Sequence, residues 1–176
     1  MQLMAYSEYN ERSTITDLGL KVLLASSAIM STGIMLAVYI QADRNGEDTT
    51  ELLWALALVL VMEVVLFFLI FRSPMIIDGS HEGIQVRYRP FMIRNRVFLW
   101  KEVSAWQIRK VSPFGEFGGW GLRRSFRKKK TGLITGGGKA LELQLQSGHT
   151  WVVSTGNPEM LAMFCRKYAA DKEVQV

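Results

Sequence analysis

The sequence predicts an α+β membrane protein in which a two-helix transmembrane hairpin precedes a small antiparallel β-barrel or bent sheet, closed by a C-terminal helix. Two apolar runs, residues 18–40 and 52–71, predict the hairpin. Short segments that alternate apolar and polar residues after residue 74 predict strands, and helical spacing after residue 157 predicts the last helix. We therefore expect residues 1–74 to form a polar tail and the hairpin, and residues 75–176 to form the β-domain.

The second apolar run, Leu52–Phe71, is the clearest element. Its twenty residues carry one charge, on Glu63. A helix of that length extends about 30 Å, which matches the hydrocarbon thickness of a bilayer. Pro74 cannot continue the helix, so the span is expected to end before it.

The first apolar run predicts an antiparallel partner for this span. Thr14–Asp17 has the pattern of a capping box, and the nineteen residues from Val22 to Ile40 carry no charge. A signal peptide is the alternative, but the run is longer than the usual apolar region and acidic residues precede it, which favours a retained helix. The short polar connection, residues 41–51, makes the two helices neighbours. Residues 1–13 are expected to form a frayed tail or a short interfacial segment.

The charges predict an orientation. Residues 1–71 carry three basic and eight acidic side chains, net −5, and residues 72–176 carry eighteen and eight, net +10, which together give the total of +5. The connection between the spans holds one basic residue, Arg44, whereas Lys21 and Arg72 lie at the outer flanks. The positive-inside rule therefore places both termini in the cytoplasm. The single cysteine, Cys165, excludes an internal disulfide and agrees with a reducing compartment.

Glu63 is the one residue of its span that an anchor does not explain. An ionisable group at mid-membrane depth is costly and should face a partner helix. It could act as a proton or ion relay in a small transporter or channel subunit. It could instead be a neutral carboxyl bonded to Ser27, to Ser31, to a backbone carbonyl or to its copy in an oligomer. This second interpretation is favoured because two helices with one carboxylate rarely make a transporter.

The β-domain is predicted to contain about seven strands and one helix. The alternating segments are residues 75–78, 83–89, 94–100, 103–111, 120–126, 140–145 and 150–154. Residues 112–119 and the glycine-rich residues 133–138 are expected to be loops, and Gln146–His149 to be a hairpin turn. Asn157 is expected to cap the last helix, with Pro158 at its first position. The tryptophans at positions 100, 106, 120 and 151 are expected to lie in the core.

Two motifs are more specific than these patterns. They are Gly118-Gly119-Trp120-Gly121, followed by Arg123, and Ser154–Glu159, which leads into the last helix. With the two spans, they make the chain resemble the bacterial membrane-anchored pleckstrin-homology-like (PH-like) proteins over most of residues 75–170. The resemblance implies a PH-like barrel in the cytoplasm at the bacterial inner membrane, and it implies no enzymatic activity and no cofactor. The basic run at 127–130 is longer than is typical of these proteins.

A basic cluster is the strongest functional signal. It comprises Arg123, Arg124, Phe126, Arg127, Lys128, Lys129 and Lys130, with six positive charges within eight residues. Beside a cytoplasmic leaflet each basic residue contributes about 1 kcal/mol of attraction to anionic lipid, and Phe126 could insert at the interface. The alternatives are a solvated turn and a general positive-inside signal without a ligand.

Other functional classes are disfavoured by the sequence. Residues 133–140 do not form a phosphate loop, because Leu133 stands in place of the first glycine and Ala140 in place of the Ser/Thr. One cysteine and two distant histidines, His81 and His149, give no basis for a zinc site. Nucleic acid is disfavoured because the domain is tethered to a membrane and no binding signature accompanies the charges. We expect a non-enzymatic membrane protein that contacts anionic lipid headgroups or a partner protein; the alternatives are an interaction scaffold or an accessory subunit, including a homo-oligomer.

Overall fold

The structure is a computed structural model that describes residues 7–15, 18–89, 91–125 and 129–174. The chain divides into two compact units. The first is the helical segment Asp17–Arg72, and the second combines the residues before and after that segment. The division differs from the one predicted at residue 74, because the segment before the helices belongs to the β-unit.

The helical unit consists of α1, Leu18–Arg44, and α2, Thr50–Phe71. Both helices are long and apolar enough to cross a membrane. α1 continues four residues beyond the predicted end at Ile40, so the connection is shorter than predicted. The predicted capping box includes residues 16 and 17, which lie outside the described residues.

The first sheet joins residues from both sides of the helical unit. Its strands are β1 (Tyr9–Ser13), β2 (Met75–Ser80), β3 (Gly83–Tyr88) and β4 (Arg96–Leu99), in the order β1-β2-β3-β4. All three pairings are antiparallel. The prediction of a frayed tail is therefore wrong for Tyr9–Ser13. Burial alternates along this segment, with Tyr9 and Glu11 buried, as expected for a strand that has one face packed on the protein.

The second sheet contains five strands. They are β5 (Val103–Val111), β6 (Gly121–Ser125), β7 (Lys130–Ile134), β8 (Gly138–Leu145) and β9 (Thr150–Ser154), in the order β5-β8-β9-β7-β6. β8 and β9 form the predicted hairpin. The prediction of a wholly antiparallel sheet is wrong, because β7 pairs with β9 in parallel. The glycine-rich segment predicted as a loop contributes Leu133 and Ile134 to β7.

Two helices accompany the second sheet. α3, Pro113–Phe117, lies in a segment predicted to be a loop, and the Ser112 hydroxyl caps it by accepting from the Gly115 N–H. α4, Pro158–Ala169, is the predicted C-terminal helix. Asn157 occupies its cap position, but the Asn157 side chain makes no capping bond, and its carbonyl accepts from the Leu161 N–H. A short 3-10 turn, Trp100–Glu102, precedes β5.

The core of the β-unit lies where the two sheets and α4 meet. Trp106, Tyr88 and Phe98 are among its largest fully buried side chains. Each such side chain contributes about 1.5–3 kcal/mol by leaving water. The Trp106 indole also donates to the Ala169 carbonyl at 2.7 Å, which ties the end of α4 to β5. Trp100 and Trp151 are buried as predicted, whereas Trp120 is half-buried.

The contacts along β1 and β2 give the β-unit two distinct ends. Tyr9 stacks on Phe164 of α4 at 5.5 Å. At the other end of β1, the Ser13 and Thr135 hydroxyls are hydrogen-bonded at 3.3 Å, and Thr135 directly follows β7. Ser13 pairs with Met75, and Met75 pairs with Tyr88. We call the end formed by Ser13, Met75 and Tyr88 the junction end, because the chain leaves and rejoins the sheet there.

Candidate functional site

The predicted basic cluster lies at an edge of the second sheet. Arg123 and Arg124 belong to β6, the last strand in the sheet order, and both are exposed. Lys129 is exposed in the turn before β7, with a left-handed backbone (φ 45°). Phe126, Arg127 and Lys128 lie outside the described residues. The structure therefore shows the two flanks of this basic hairpin, and both present cations to solvent.

Lys130 differs from the other members of the predicted cluster. Its ammonium lies 3.2 Å from Glu142 and 3.5 Å from Glu116, and its side chain is only 23% exposed. Arg109 contacts the same two carboxylates, each at 2.7 Å. Lys130 is thus part of an ion-pair network of β5, β7, β8 and α3. The sequence alone gave no sign that its charge is compensated.

The glycine motif shapes the backbone that enters β6. Gly118, Gly119 and Gly121 have φ values of 69°, 129° and 90°, which a side chain would strain. Gly118 ends α3, where its N–H donates to the Phe114 carbonyl at 3.1 Å. Trp120 packs edge-on against Phe114 with ring centroids 4.5 Å apart. Three glycines with positive φ therefore surround Trp120 and turn the chain from α3 into β6.

Arg123 is held by this turn. Its Nε donates to the Trp120 carbonyl at 2.9 Å. A Cβ added to Gly119 would lie 3.0 Å from the Arg123 guanidinium, so the glycine also leaves room for it. The motif therefore positions one cation of the basic cluster as well as starting the edge strand.

A pocket with three cations at its rim lies beside the basic hairpin. Its volume is about 430 Å³, and its rim carries Arg96 of β4, Arg124 of β6 and Lys129. The other lining residues are Ser125, Thr131, Leu145, Ser147, His149 and Trp151. None of the described residues that line it is acidic. The pocket therefore brings cations of the two sheets together on one side of the β-unit.

Two aromatic rings beside the pocket hold one of these cations, Arg96, in place. The Arg96 guanidinium lies 5.5 Å from the ring centroids of both Phe98 and Trp151. Phe98 and Trp151 themselves pack edge-on at 5.2 Å. Stacking on aromatic faces restricts a guanidinium while leaving its donors free. Arg96 is thereby presented towards the pocket at little further cost in side-chain entropy.

His149 reports the electrostatics of the pocket. Burial lowers its pKa, and the nearby cations Arg96, Arg124 and Lys129 lower it further. A ring nitrogen of His149 is hydrogen-bonded to the buried Thr131 hydroxyl at 2.9 Å. The three cations and the His149 ring thus line the same pocket. The sequence prediction of a simple turn residue missed this role, because Arg96 is more than fifty residues away in the chain.

An apolar tip beside the junction end was also missed. In the connection from β3 to β4, Ile93 is 90% exposed and Phe91 is 37% exposed. Phe91 packs on Tyr88 at 4.9 Å. Arg89 and Arg94 flank the tip, and both are exposed. The signal in the sequence is the run Arg89–Arg96, in which four apolar residues, 90–93, lie between arginines.

Two of these features lie at the junction end. The connection that carries Ile93 starts next to Tyr88, a residue that defines this end. Arg96 pairs with Val86, two residues from Tyr88. In the second sheet, Ser13 contacts Thr135 just after the last residue of β7, whereas the basic hairpin lies at the first residue of β7. The apolar tip and Arg96 therefore lie where the chain connects to the helices, and the basic hairpin lies at the other end of β7.

The sequence carries a matching separation of charge. Residues 84–101 and 117–141 contain no Asp or Glu, yet they hold twelve of the eighteen basic residues after position 71. Within the described part of the chain, three of these twelve form ion pairs: Arg87 with Asp78, Lys130 with Glu116 and Glu142, and Lys139 with Glu159. Arg89, Arg94 and Arg96, which lie beside the junction end, are exposed. The junction end therefore presents three cations to solvent.

The helical unit holds the second predicted polar site. The Ser31 hydroxyl donates a short hydrogen bond to Glu63, and the Thr32 hydroxyl donates to its other oxygen at 3.3 Å. Ser27 does not bond to Glu63 but lines a cavity of about 140 Å³ beside it. The expected alternative of a carboxyl bonded across the helix pair to Ser31 is therefore what the structure contains.

The remaining chemistry of the described residues is sparse. No group of three or more His, Cys, Asp or Glu side chains among them could hold a metal ion. Cys165 is fully buried, and burial raises the pKa of its thiol to about 12. A thiol with so high a pKa is protonated at neutral pH and unreactive.

Comparison with known proteins gives no match: no family model, no curated protein and no solved structure matches this chain. The resemblance to bacterial PH-like proteins therefore stays a prediction. The geometry of the basic junction end carries the functional interpretation.

Proposed function

We propose that this chain is a non-enzymatic integral protein of the bacterial inner membrane that lays its basic junction end on anionic lipid headgroups. The observation that carries the proposal is that the apolar tip and the exposed cations Arg89, Arg94 and Arg96 lie at the junction end. β1 and β2 are paired strands of one sheet, and the apolar helices connect them. A hairpin that starts and finishes at paired strands would cross a membrane twice and return to the same side.

The direction of the hairpin follows from its flanking charges. Lys21 lies near the start of α1 and Arg72 follows α2, whereas the connection between the helices is acidic apart from Arg44. This distribution favours a cytoplasmic location for the β-unit and both termini. The cytoplasmic leaflet is the one that carries a negative surface potential, so the basic end would meet the matching surface.

The energetics support contact at short range. Each basic residue near an anionic surface contributes about 1 kcal/mol, and the attraction falls off within the Debye length of about 10 Å at 0.1 M salt. The covalent junction would hold the basic end within that range. Ile93 is 90% exposed, and placing its side chain among lipid tails would add about 1.5–3 kcal/mol at full burial.

A fluorescent probe at the apolar tip tests the proposal. The full chain carrying Ile93→Cys is labelled with an environment-sensitive dye and placed in nanodiscs of phosphatidylcholine with or without phosphatidylglycerol. Cys165 is buried and stays unlabelled. Met163→Cys, on α4 and 59% exposed before substitution, provides the matched control. We expect a blue shift at position 93 in anionic nanodiscs that high salt reverses, and no shift at position 163.

A pair of charge variants separates specific contact from net charge. Arg89→Gln with Arg94→Gln removes two cations beside the tip, and Lys101→Gln with Lys110→Gln removes two exposed cations elsewhere. The first pair should lose most of the blue shift and the second should keep it. Emission at position 93 that ignores lipid charge would overturn lipid contact and favour the interaction-scaffold alternative.

A further inference from the structure

We propose that the pocket rimmed by Arg96, Arg124 and Lys129 binds a phosphate monoester. It is a defined cavity and not an open basic surface. Its three cations come from β4, from β6 and from the turn before β7. The inference rests on the proposed function to the extent that a membrane lipid supplies the monoester. A soluble phosphate monoester presents the same chemistry to the pocket.

The charge of the rim indicates the class of ligand. Three cations face a cavity without acidic lining among the described residues, which suits a group carrying close to two negative charges. A phosphate monoester carries about −1.5 to −2 at neutral pH. A phosphodiester carries one charge and would leave the rim less compensated. The pocket should therefore prefer a terminal phosphate to the diester of a common headgroup.

The neutral donors of the pocket match the oxygens of such a group. Thr131, Ser125 and Ser147 contribute hydroxyls, and His149 contributes a ring that the local field keeps neutral. Two arginines can each offer paired N–H donors to phosphate oxygens. Arg96 is held in place by Phe98 and Trp151, so one of these donors is ordered before a ligand arrives. The cavity of about 430 Å³ falls within the usual range for small-molecule sites.

His149 provides a spectroscopic reporter inside the proposed site. The chain contains two histidines, and the other, His81, has a side chain that is 72% exposed and serves as an internal reference. A bound dianion would offset the cations that now oppose protonation of His149. An opposite charge within 4–6 Å favours the charged form of a titratable group, so binding should raise the His149 pKa.

The experiment uses the full chain labelled with [13Cε1]histidine. One arm titrates glycerol 3-phosphate into protein in a neutral detergent and follows both histidine signals as a function of pH. The second arm compares nanodiscs containing phosphatidic acid, a monoester, with nanodiscs containing phosphatidylglycerol, a diester, at equal negative surface charge. We expect the His149 pKa to rise with glycerol 3-phosphate or phosphatidic acid, and to change less with phosphatidylglycerol.

The outcomes separate the source of the phosphate from the proposal itself. A response to glycerol 3-phosphate alone supports the pocket and assigns a soluble source, whereas a response to phosphatidic acid assigns a lipid source. No response to either monoester, or an equal response to the diester, overturns the proposal. The dye at position 93 reports surface contact in the same nanodiscs, so the pocket can fail while the proposed function stands.

A matched pair of variants tests the rim. Arg124→Gln removes an exposed rim cation, and Lys110→Gln removes an exposed cation of β5 outside the pocket. A lost charge-assisted contact should raise the Kd for glycerol 3-phosphate about tenfold in the first variant and leave it unchanged in the second. Equal affinities of the two variants would overturn the assignment, and circular dichroism spectra that match the unmodified chain would show that both remain folded.

Discussion

Ser13 and Met75 are antiparallel partners at the edge of one sheet, although the whole helical hairpin separates them in the chain. The β-unit is thus completed by a strand that is synthesised before the helices. β1 also provides buried contacts through Tyr9 and Glu11. The pairing makes the helices an insertion into the β-unit, which has a direct consequence for how the unit can be isolated.

The first prediction concerns removal of the helices. A chain in which a short glycine-containing turn replaces residues 16–72 should fold as a soluble domain, because its two ends are already adjacent at the pair Ser13 and Met75. We expect cooperative thermal unfolding, measured by near-ultraviolet circular dichroism.

Residues 75–176 without β1 are the comparison for this replacement. They should unfold at a lower temperature because they lose a paired strand and leave β2 as an open edge. Equal unfolding temperatures for the two chains would contradict a structural role of β1.

The second prediction concerns Glu11, a buried carboxylate that links β1 to the loop before α4. It accepts from the Tyr9 hydroxyl, the Thr155 hydroxyl and the Gly156 N–H, each at 2.6 Å. Glu11→Ala would leave these donors without their acceptor, at about 1–3 kcal/mol for a buried group. We expect the midpoint of urea denaturation to fall by a corresponding amount in the full chain.

Glu8→Ala is the control for this effect. Glu8 precedes β1 and contacts Lys167 and Tyr168 at the surface. An exposed ion pair contributes little to stability because solvent screens it. If Glu8→Ala lowered the urea midpoint as much as Glu11→Ala, burial of the carboxylate would not explain the stability effect of Glu11→Ala.

Part of this fold could be predicted from residue patterns alone. The bounds of β5 and β9 match the predicted segments, because alternation is strong where one face is buried. β1 was missed since Tyr9–Ser13 contains Glu11, whose burial depends on Thr155 and Gly156 more than a hundred residues later. The parallel pairing of β7 with β9 was missed for a similar reason: local periodicity does not specify the neighbour of a strand.

The candidate site shows the same limit. The run Arg123–Lys130 was recognisable as a cationic segment by its composition. Arg96 could not be assigned to it, because β4 and β6 meet only in the folded unit. Lys130 was predicted to belong to the same anionic-surface contact, and its ion pair with Glu142 could not be read from its own segment. Tertiary contacts, which a local charge count ignores, therefore decide which cations are free.

The third prediction concerns acid stability. Hydrogen bonds from Arg109 lower the pKa of Glu116 from 4.5 to about 2, against an opposing effect of burial. Because the folded pKa is the lower one, this contribution to stability is fully present above pH 4.5 and is lost as the pH falls towards 2. After solvent screening we expect it to amount to about 1 kcal/mol.

Arg109→Gln tests this contribution. It removes the donor, so the stability between pH 4.5 and 2 should depend less steeply on pH than in the unmodified chain. Lys110→Gln, at the next position of β5 and exposed, is the control that removes the same charge. Denaturant unfolding at stepped pH measures both. A wild-type acid dependence in Arg109→Gln would contradict the assignment.

The fourth prediction concerns Glu63 and the interpretation of the helices as an anchor. The Ser31 and Thr32 hydroxyls donate to its carboxyl across the helix pair. The amide oxygen of Glu63→Gln can accept from the same hydroxyls, whereas Glu63→Leu cannot. Hydrogen bonds between membrane helices contribute about 0.6–2 kcal/mol. We therefore expect Glu63→Gln to retain most of the hairpin stability in bicelles and Glu63→Leu to lose about that amount.

A double-mutant cycle with Ser31→Ala isolates the contact. Ser31→Ala should cost stability in the unmodified chain and cost less when Glu63 is already Leu, because the partner is then absent. If Glu63→Gln retained the hairpin stability and the cycle showed this coupling, Glu63 would be identified as a residue that pairs the two helices. If Glu63→Gln instead behaved like Glu63→Leu, the ionisable proton itself would matter, and the proton or ion relay would become the better interpretation of this residue.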